Sequence, residues 1–223
     1  MTGRNADIAV FVSGGGTNLQ ALIDAQRSGI ISSGRIRLVV SNVGSAYALE
    51  RAKNAGIRAE HVSRKKLGPE AFEAELNRLL EEEHIDPIIL AGFLSILRAE
   101  FTKRWDHRII NIHPSLIPSF CGEGFYGLTV HEKALEKGVK ITGATVHFDN
   151  EVPDGGEIIA QKAVYVAVND TPETLQRRVM EQAEWIILPQ SAEAVCQAII
   201  EEKFGSLEEA DPMAPIAGMM DSY

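Results

Sequence analysis

The sequence predicts an α/β fold: an open, mostly parallel, doubly wound sheet with antiparallel strands in the C-terminal part. Three observations lead there. Short apolar runs rich in β-branched residues alternate with stretches of helical periodicity. These runs are apolar throughout, as strands covered by helices on both faces must be. After Thr129 the alternation stops, and two β-rich runs follow one another across a Pro-Asp-Gly-Gly turn. A βαβα order of this kind builds a parallel sheet through right-handed crossovers.

Taken in order, Ile8–Val12 reads as a buried strand followed by a glycine loop. A helix is expected from about Asn18 to Arg27, with Leu19, Leu22 and Ile23 on one face. Ile36–Val40 is the next strand and Ala46–Asn54 the next helix, stopped at Gly56. A short strand near Arg58–Val62 leads through Arg64-Lys65-Lys66, read as a solvated loop, to a charged helix over Glu70–Glu83. That helix ends in Glu81-Glu82-Glu83, read as a solvated end. Ile88–Ala91 and Ile109–His113 are the fourth and fifth strands. A short helix over Val130–Glu136 precedes the two β runs, Ile141–Phe148 and Glu157–Val168. A longer helix starts at about Pro172, capped by Asp170 or Thr171, is expected to break at Pro189, and resumes to about Lys203. One domain over 1–204 is expected, with 205–223 a loosely held tail.

Composition narrows the function. The 223 residues, 45% hydrophobic and 24% charged, suit a soluble globular protein. A net charge of -9 argues against nucleic acid as the main partner. The first residues lack the basic head and longer apolar region of a signal peptide, and no run approaches the ~20 apolar residues that span a bilayer. With only Cys121 and Cys196, no disulfide framework or thiolate zinc site is expected. A cytoplasmic protein without membrane contact is the expectation.

Two loops fall at the carboxyl ends of predicted strands, where open α/β sheets bind ligands. Ser13-Gly14-Gly15-Gly16-Thr17-Asn18 opens the first helix. It offers backbone N–H groups and a positive dipole end to an anion such as a phosphate monoester. Leu19 stands where a dinucleotide fingerprint needs its third glycine, and no Lys precedes the Thr as a P-loop requires. A tight connecting turn is the alternative. The second loop ends the strand carrying Asn111 and His113, whose side chains at i and i+2 share a face. Pro114 stops the strand. With Asp154 in the downstream turn, an amide donor, an imidazole and a carboxylate are the parts of an acyl-transfer site. The alternative is a strand-end histidine satisfying a backbone carbonyl. His147 alternates with Thr145 and Asp149 and faces either site or core, and His131 is read as a cap or a partner of Glu132. No histidine pair has metal-site spacing, and G-x-S-x-G is absent.

These residues carry a resemblance. V-S-G-G-G-T-N-L-Q, L-A-G-F-L-S-I-L, N-I-H-P-S-L-I-P-S-F, G-A-T-V-H-F and V-P-D-G-G together resemble the phosphoribosylglycinamide formyltransferases, of the folate-dependent formyltransferase family, over roughly Ile8–Val195. The resemblance implies a Rossmann-like fold and transfer of the formyl group of 10-formyltetrahydrofolate to the amine of glycinamide ribonucleotide in purine synthesis. It implies no metal, and a monomer or homodimer. It implies that Asn111 donates to the formyl oxygen, that His113 acts as proton donor, and that Asp154 pairs with it and keeps the imidazole charged. Gly16, Thr17 and Asn18 would hold the phosphate, and Glu184 would contact the ribonucleotide. Leu94, Ser95, Ile96 and Leu97, with Asn111 and the loop Asn150, Glu151, Val152, Pro153 and Asp154, would form the folate pocket. Thr145 would lie near a catalytic water. Ser95 replaces an Arg of many members, so a folate contact there is expected to be lost or rearranged. The loop Cys121–Gly127 reads as a glycine-hinged flap or a surface insertion.

Two other functions compete. A formyltetrahydrofolate deformylase shares the Asn-His-Asp set, but would leave the glycine loop without a task. A non-catalytic phosphate-binding module would have no need of Asn111, His113 and Asp154 together.

Overall fold

In the computed structural model, residues 5–201 are described; the expected tail at 205–223 lies outside them. Seven strands form one sheet in the order β3-β2-β1-β4-β5-β6-β7. Strands β1 (Ala6–Val12), β2 (Gly34–Ser41), β3 (Arg58–His61), β4 (Ile88–Leu90) and β5 (Ile109–His113) run parallel. β6 (Ile141–Phe148) is antiparallel to β5, and β7 (Ile158–Tyr165) to β6, as the paired β-rich runs predict.

The doubly wound arrangement follows from the period of β1. Ile8, Val10 and Val12 face one apolar cluster, with Leu19 and Leu22 of α1 (Thr17–Ser28) and Ile187 and Val195 of α8 (Trp185–Ile200). Ala9 and Phe11 point the other way, against Phe72, Leu76 and Leu80 of α4 (Pro69–Glu82) and Phe101 of α5 (Ala99–Arg104). Alternate residues of one strand thus serve two cores. β1 and β4 are neighbours because the chain reverses its direction of winding there. This is the switch point at which a crevice opens beyond the carboxyl ends of the strands.

Several local expectations change. Arg64–Leu67 forms a helical turn, α3, and not a loop. Glu82 and Glu83 are not simply solvated, because Arg58 on the edge strand bonds both, at 3.2 and 2.7 Å. α7 (Pro172–Val179) starts as its sequence predicts, with Pro172 in the first turn and Thr171 accepting from Thr174 N. The expected break at Pro189 does not occur. α7 instead widens into a π turn, Met180–Glu184, and continues without interruption as α8, with Pro189 buried inside it. The missing N–H of Pro189 falls one turn after the hydrogen-bond ladder has been re-phased.

Candidate active site

The glycine loop is shaped by α2 (Tyr47–Asn54). Ala48 N donates to Gly14 O at 3.2 Å, and Arg51 Nε donates to Gly15 O at 2.8 Å. The N–H and C=O of one trans peptide point in opposite directions. Turning these two carbonyls toward α2 therefore aims the next two N–H groups away from it, beside the start of α1. Gly16, with φ 71°, is left-handed, and a Cβ there would lie 2.6 Å from Ala48 Cβ. Thr17 is exposed, its hydroxyl 3.6 Å from Met180 Sδ. Asn18 is buried and donates through Nδ2 to Glu184 Oε2 at 2.7 Å. Burial pushes the Glu184 carboxyl up to about 7, with the Asn18 bond opposing.

At the end of β5, register pairs Asn111 with His147 and His113 with Thr145. His113 Nε2 lies 2.8 Å from Phe120 O and Nδ1 lies 3.4 Å from Asp154 Oδ2. A carbonyl can only accept, so Nε2 carries a proton and Nδ1 is the nitrogen that faces the carboxylate. This histidine satisfies a backbone carbonyl with one nitrogen and meets Asp154 with the other. Burial lowers the His113 pKa below the usual histidine value, outweighing Asp154 and the Phe120 carbonyl, and so works against the charge expected of the ring. The distance agrees, since 3.4 Å exceeds the ~2.7–2.9 Å of a charge-assisted bond. Asp154 itself titrates below the usual carboxylate range. Burial would raise it, but His147, the nearby His113 and the Gly122 N–H at 2.8 Å together prevail.

His147 is fully buried and orients Asn111. Its Nδ1 lies 2.7 Å from Phe148 O and must donate there. Nε2 is then an acceptor, 3.2 Å from Asn111 Nδ2. The amide nitrogen directs its other hydrogen to Asp154 Oδ1 at 3.5 Å, the far limit of a hydrogen bond.

These groups sit in a cleft of about 560 Å³. One wall is the segment Gly92–Arg98, pinned in several places. Leu94 N donates to Ser13 Oγ at 2.8 Å, and Asn42 bridges Ser13 to Ser95 at 2.7 and 2.8 Å. The buried Glu73 takes Arg98 N and Nε at 2.8 and 2.9 Å. Leu94, Ser95, Ile96 and Leu97 all line the cleft, with Ser95 committed to Asn42. Across from them stand Asn150, Glu151, Pro153 and Asp154, while the side chain of Val152 lies outside the lining. Asn111, His113, Asn18 and Glu184 also line it. Thr145 is buried away from the cleft: its hydroxyl donates to Ser115 O and accepts from Ile117 N and Gln161 Nε2. It braces the turn after His113, with no face open to a water in the cleft.

Sequence reasoning left His147 open between site and core, and missed the Phe120 carbonyl and the Gly122 N–H. The alternation of His147 with Thr145 was the one available signal, and pairing with Asn111 decides its direction. The backbone groups left none. They come from the expected flap, whose first residues are tied to the site: Phe120, with φ 51°, and Gly122 hold His113 and Asp154. His131 is neither a cap nor a partner of Glu132. It is fully buried on α6 (Leu128–Lys137), with both ring nitrogens without a hydrogen bond among the described residues, and burial pushes it down to about 4. No group of three His, Cys, Asp or Glu side chains among the described residues could hold a metal ion. No described helix is long and apolar enough to cross a membrane.

The formyl transferase family matches residues 6–191. A phosphoribosylglycinamide formyltransferase of Haemophilus influenzae is 41% identical over 82% of this chain and 83% of its own length. The trifunctional purine biosynthetic protein adenosine-3 of Gallus gallus is 43% identical over 87% of the chain, which spans only 19% of that relative. Among solved structures, glycinamide ribonucleotide transformylase 1 from Symbiobacterium toebii superimposes with a TM-score of 0.82 at 40% identity, covering 88% of this chain and 90% of that one.

Proposed function

From a chain that belongs to the formyl transferase family, we propose a phosphoribosylglycinamide formyltransferase of purine biosynthesis, acting in the cytoplasm. It moves the formyl group of 10-formyltetrahydrofolate to the amine of glycinamide ribonucleotide. The observation that carries this reading is the meeting of Asn111, His113 and Asp154 in one cleft, with the glycine loop and the Asn18–Glu184 pair beside it.

In the proposed reaction the glycine loop N–H groups hold the phosphate and ionised Glu184 accepts from the ribose. The folate lies between Leu94–Leu97 and Asn150–Asp154. The amine attacks the formyl carbon, forming the new C–N bond and an oxyanion. Asn111 Nδ2 donates to that oxygen, a contribution of about 3–4 kcal/mol for an oxyanion donor. Neutral His113 takes the amine proton on Nδ1 and becomes an imidazolium beside Asp154. It passes that proton to the folate nitrogen as the old C–N bond breaks, releasing tetrahydrofolate and the formylated ribonucleotide. His113 thus arrives at its charged form during turnover and does not begin in it. No metal is needed.

The test is tetrahydrofolate formation from 10-formyltetrahydrofolate with and without glycinamide ribonucleotide. Transfer predicts ribonucleotide-dependent release and a formylated ribonucleotide. Equal release without it would establish the deformylase instead, and absence of both would leave the binding module.

A further inference from the structure

Asp149 has no part in the chemistry above, yet it lines the same cleft. Its backbone N–H donates to Ile109 O at 2.8 Å, which fixes it one step beyond β6 on a rigid element. Among the described residues its carboxylate makes no hydrogen bond or ion pair. A partly buried carboxylate without a donor is unfavourable, and such groups are normally neutralised or paired. An acidic side chain in a substrate cleft with no partner in the protein calls for one from a ligand.

Position says which ligand. Along β6, Thr145 pairs with His113 and His147 with Asn111, so Asp149 lies on the far side of Asn111 from His113. With ~3.4 Å per residue, it stands ~14 Å along the strand direction from Thr145. The Asn18–Glu184 pair belongs to the α1 side of the cleft, whereas Asp149 continues directly into the Asn150–Asp154 wall. Leu90, Phe93 and Leu97 give that cleft an apolar wall suited to a flat heterocycle. We propose that Asp149 recognises the 2-amino-4-oxopyrimidine edge of the pterin ring. That edge presents an amino N–H and a ring N–H side by side, which a carboxylate accepts with its two oxygens. The inference rests on the folate reading above and names the group that orients the folate in it.

The experiment measures tetrahydrofolate binding by calorimetry at pH 8, where Asp149 is ionised, using the intact protein and its Asp149→Asn and Asp149→Val variants. A 2-desamino analogue of tetrahydrofolate is titrated in parallel. Loss of a hydrogen bond to a charged group predicts tetrahydrofolate binding weaker by roughly 10- to 100-fold in Asp149→Val. The wild type should favour tetrahydrofolate over the analogue, the Val variant should bind both alike, and the KM for the ribonucleotide should stay unchanged. Asp149→Asn keeps the shape and should lose most of the same preference, which serves if the Val variant does not fold. Undiminished tetrahydrofolate binding in either folded variant, or an equal loss for tetrahydrofolate and analogue, overturns the proposal while leaving the transferase reading intact. Failure of the wild type to bind tetrahydrofolate at all would instead sink the folate reading, and this proposal with it.

Discussion

Replacing Asp154 by Asn tests the proton chemistry most directly, because the side chain keeps its shape and an acceptor for Gly122 N–H while losing its charge. Asp154 Oδ2 lies 3.4 Å from His113 Nδ1. Unit charges at that distance interact by about 5 kcal/mol at an effective dielectric near 20. This is an upper bound: both charges are delocalised and the carboxylate is shared with His147 and Gly122, so about 1.4–4 kcal/mol is the working figure. The direction follows from the site: burial already holds His113 below the usual value, and Asp154 is the main group opposing it. Asp154→Asn should therefore lower the His113 pKa further and reduce kcat by roughly 10- to 1000-fold, since the imidazolium formed during transfer loses its counter-charge. The His113 Cε1–H resonance followed by NMR from pH 4 to 8 reads the first effect and single-turnover formyl transfer the second. An unchanged His113 midpoint alongside reduced activity would refute the charge argument and leave Asp154 a purely steric role.

Glu184, raised to about 7 by burial, should make ribonucleotide binding pH-dependent. Its carboxyl is protonated as pH falls through 7 and loses its capacity to accept from two hydroxyls, so the ribonucleotide KM should rise about 10-fold between pH 8 and 6. Glu184→Gln should show a high, flat KM; a flat wild-type profile counts against this. Gly16→Ala places a Cβ 2.6 Å from Ala48 Cβ at φ 71° and should destabilise by about 2–4 kcal/mol. Thermal melting reads this, and a transition within about 1 °C of wild type would contradict the crowding, given roughly 2–4 °C per kcal/mol. His131, held near 4 in the folded protein, takes up a proton on unfolding between about pH 4 and 6.5, so its burial withdraws stability as pH falls through that window. His131→Phe should gain up to about 3 kcal/mol relative to wild type between pH 7 and 4.5 in urea unfolding, and parallel profiles would argue against it.

The strands were legible because their burial is two-sided: Ile8–Val12 and Ile88–Leu90 read as apolar runs for the reason that both faces are covered. The change after Thr129 correctly announced the antiparallel pair. The helical path through Pro189 was not legible, since a π turn depends on hydrogen-bond phase and leaves no residue signature. In the site, side chains could be read and their company could not. Asn111, His113 and Asp154 stand out by type, but the lowered pKa of His113 depends on how deeply the folded chain buries it. Phe120 contributes only its carbonyl, and any residue could supply that. Asn18 reads as a free amide until the π turn delivers Glu184 to it across 166 residues of sequence.

That π turn has a wider consequence. An α-helix is a screw of fixed pitch, and a surplus residue rotates everything beyond it by about 100°. In this chain the phase error is absorbed locally, between Met180 and Glu184. The apolar stripes of α7 and α8 both stay on the sheet, Leu175 and Val179 before the turn and Ile187 and Leu188 after it. The helix thereby behaves as a vernier, setting Glu184 against Asn18 independently of the core-facing threads on either side. Adjustments in length at this point would retune the cleft without re-registering the scaffold.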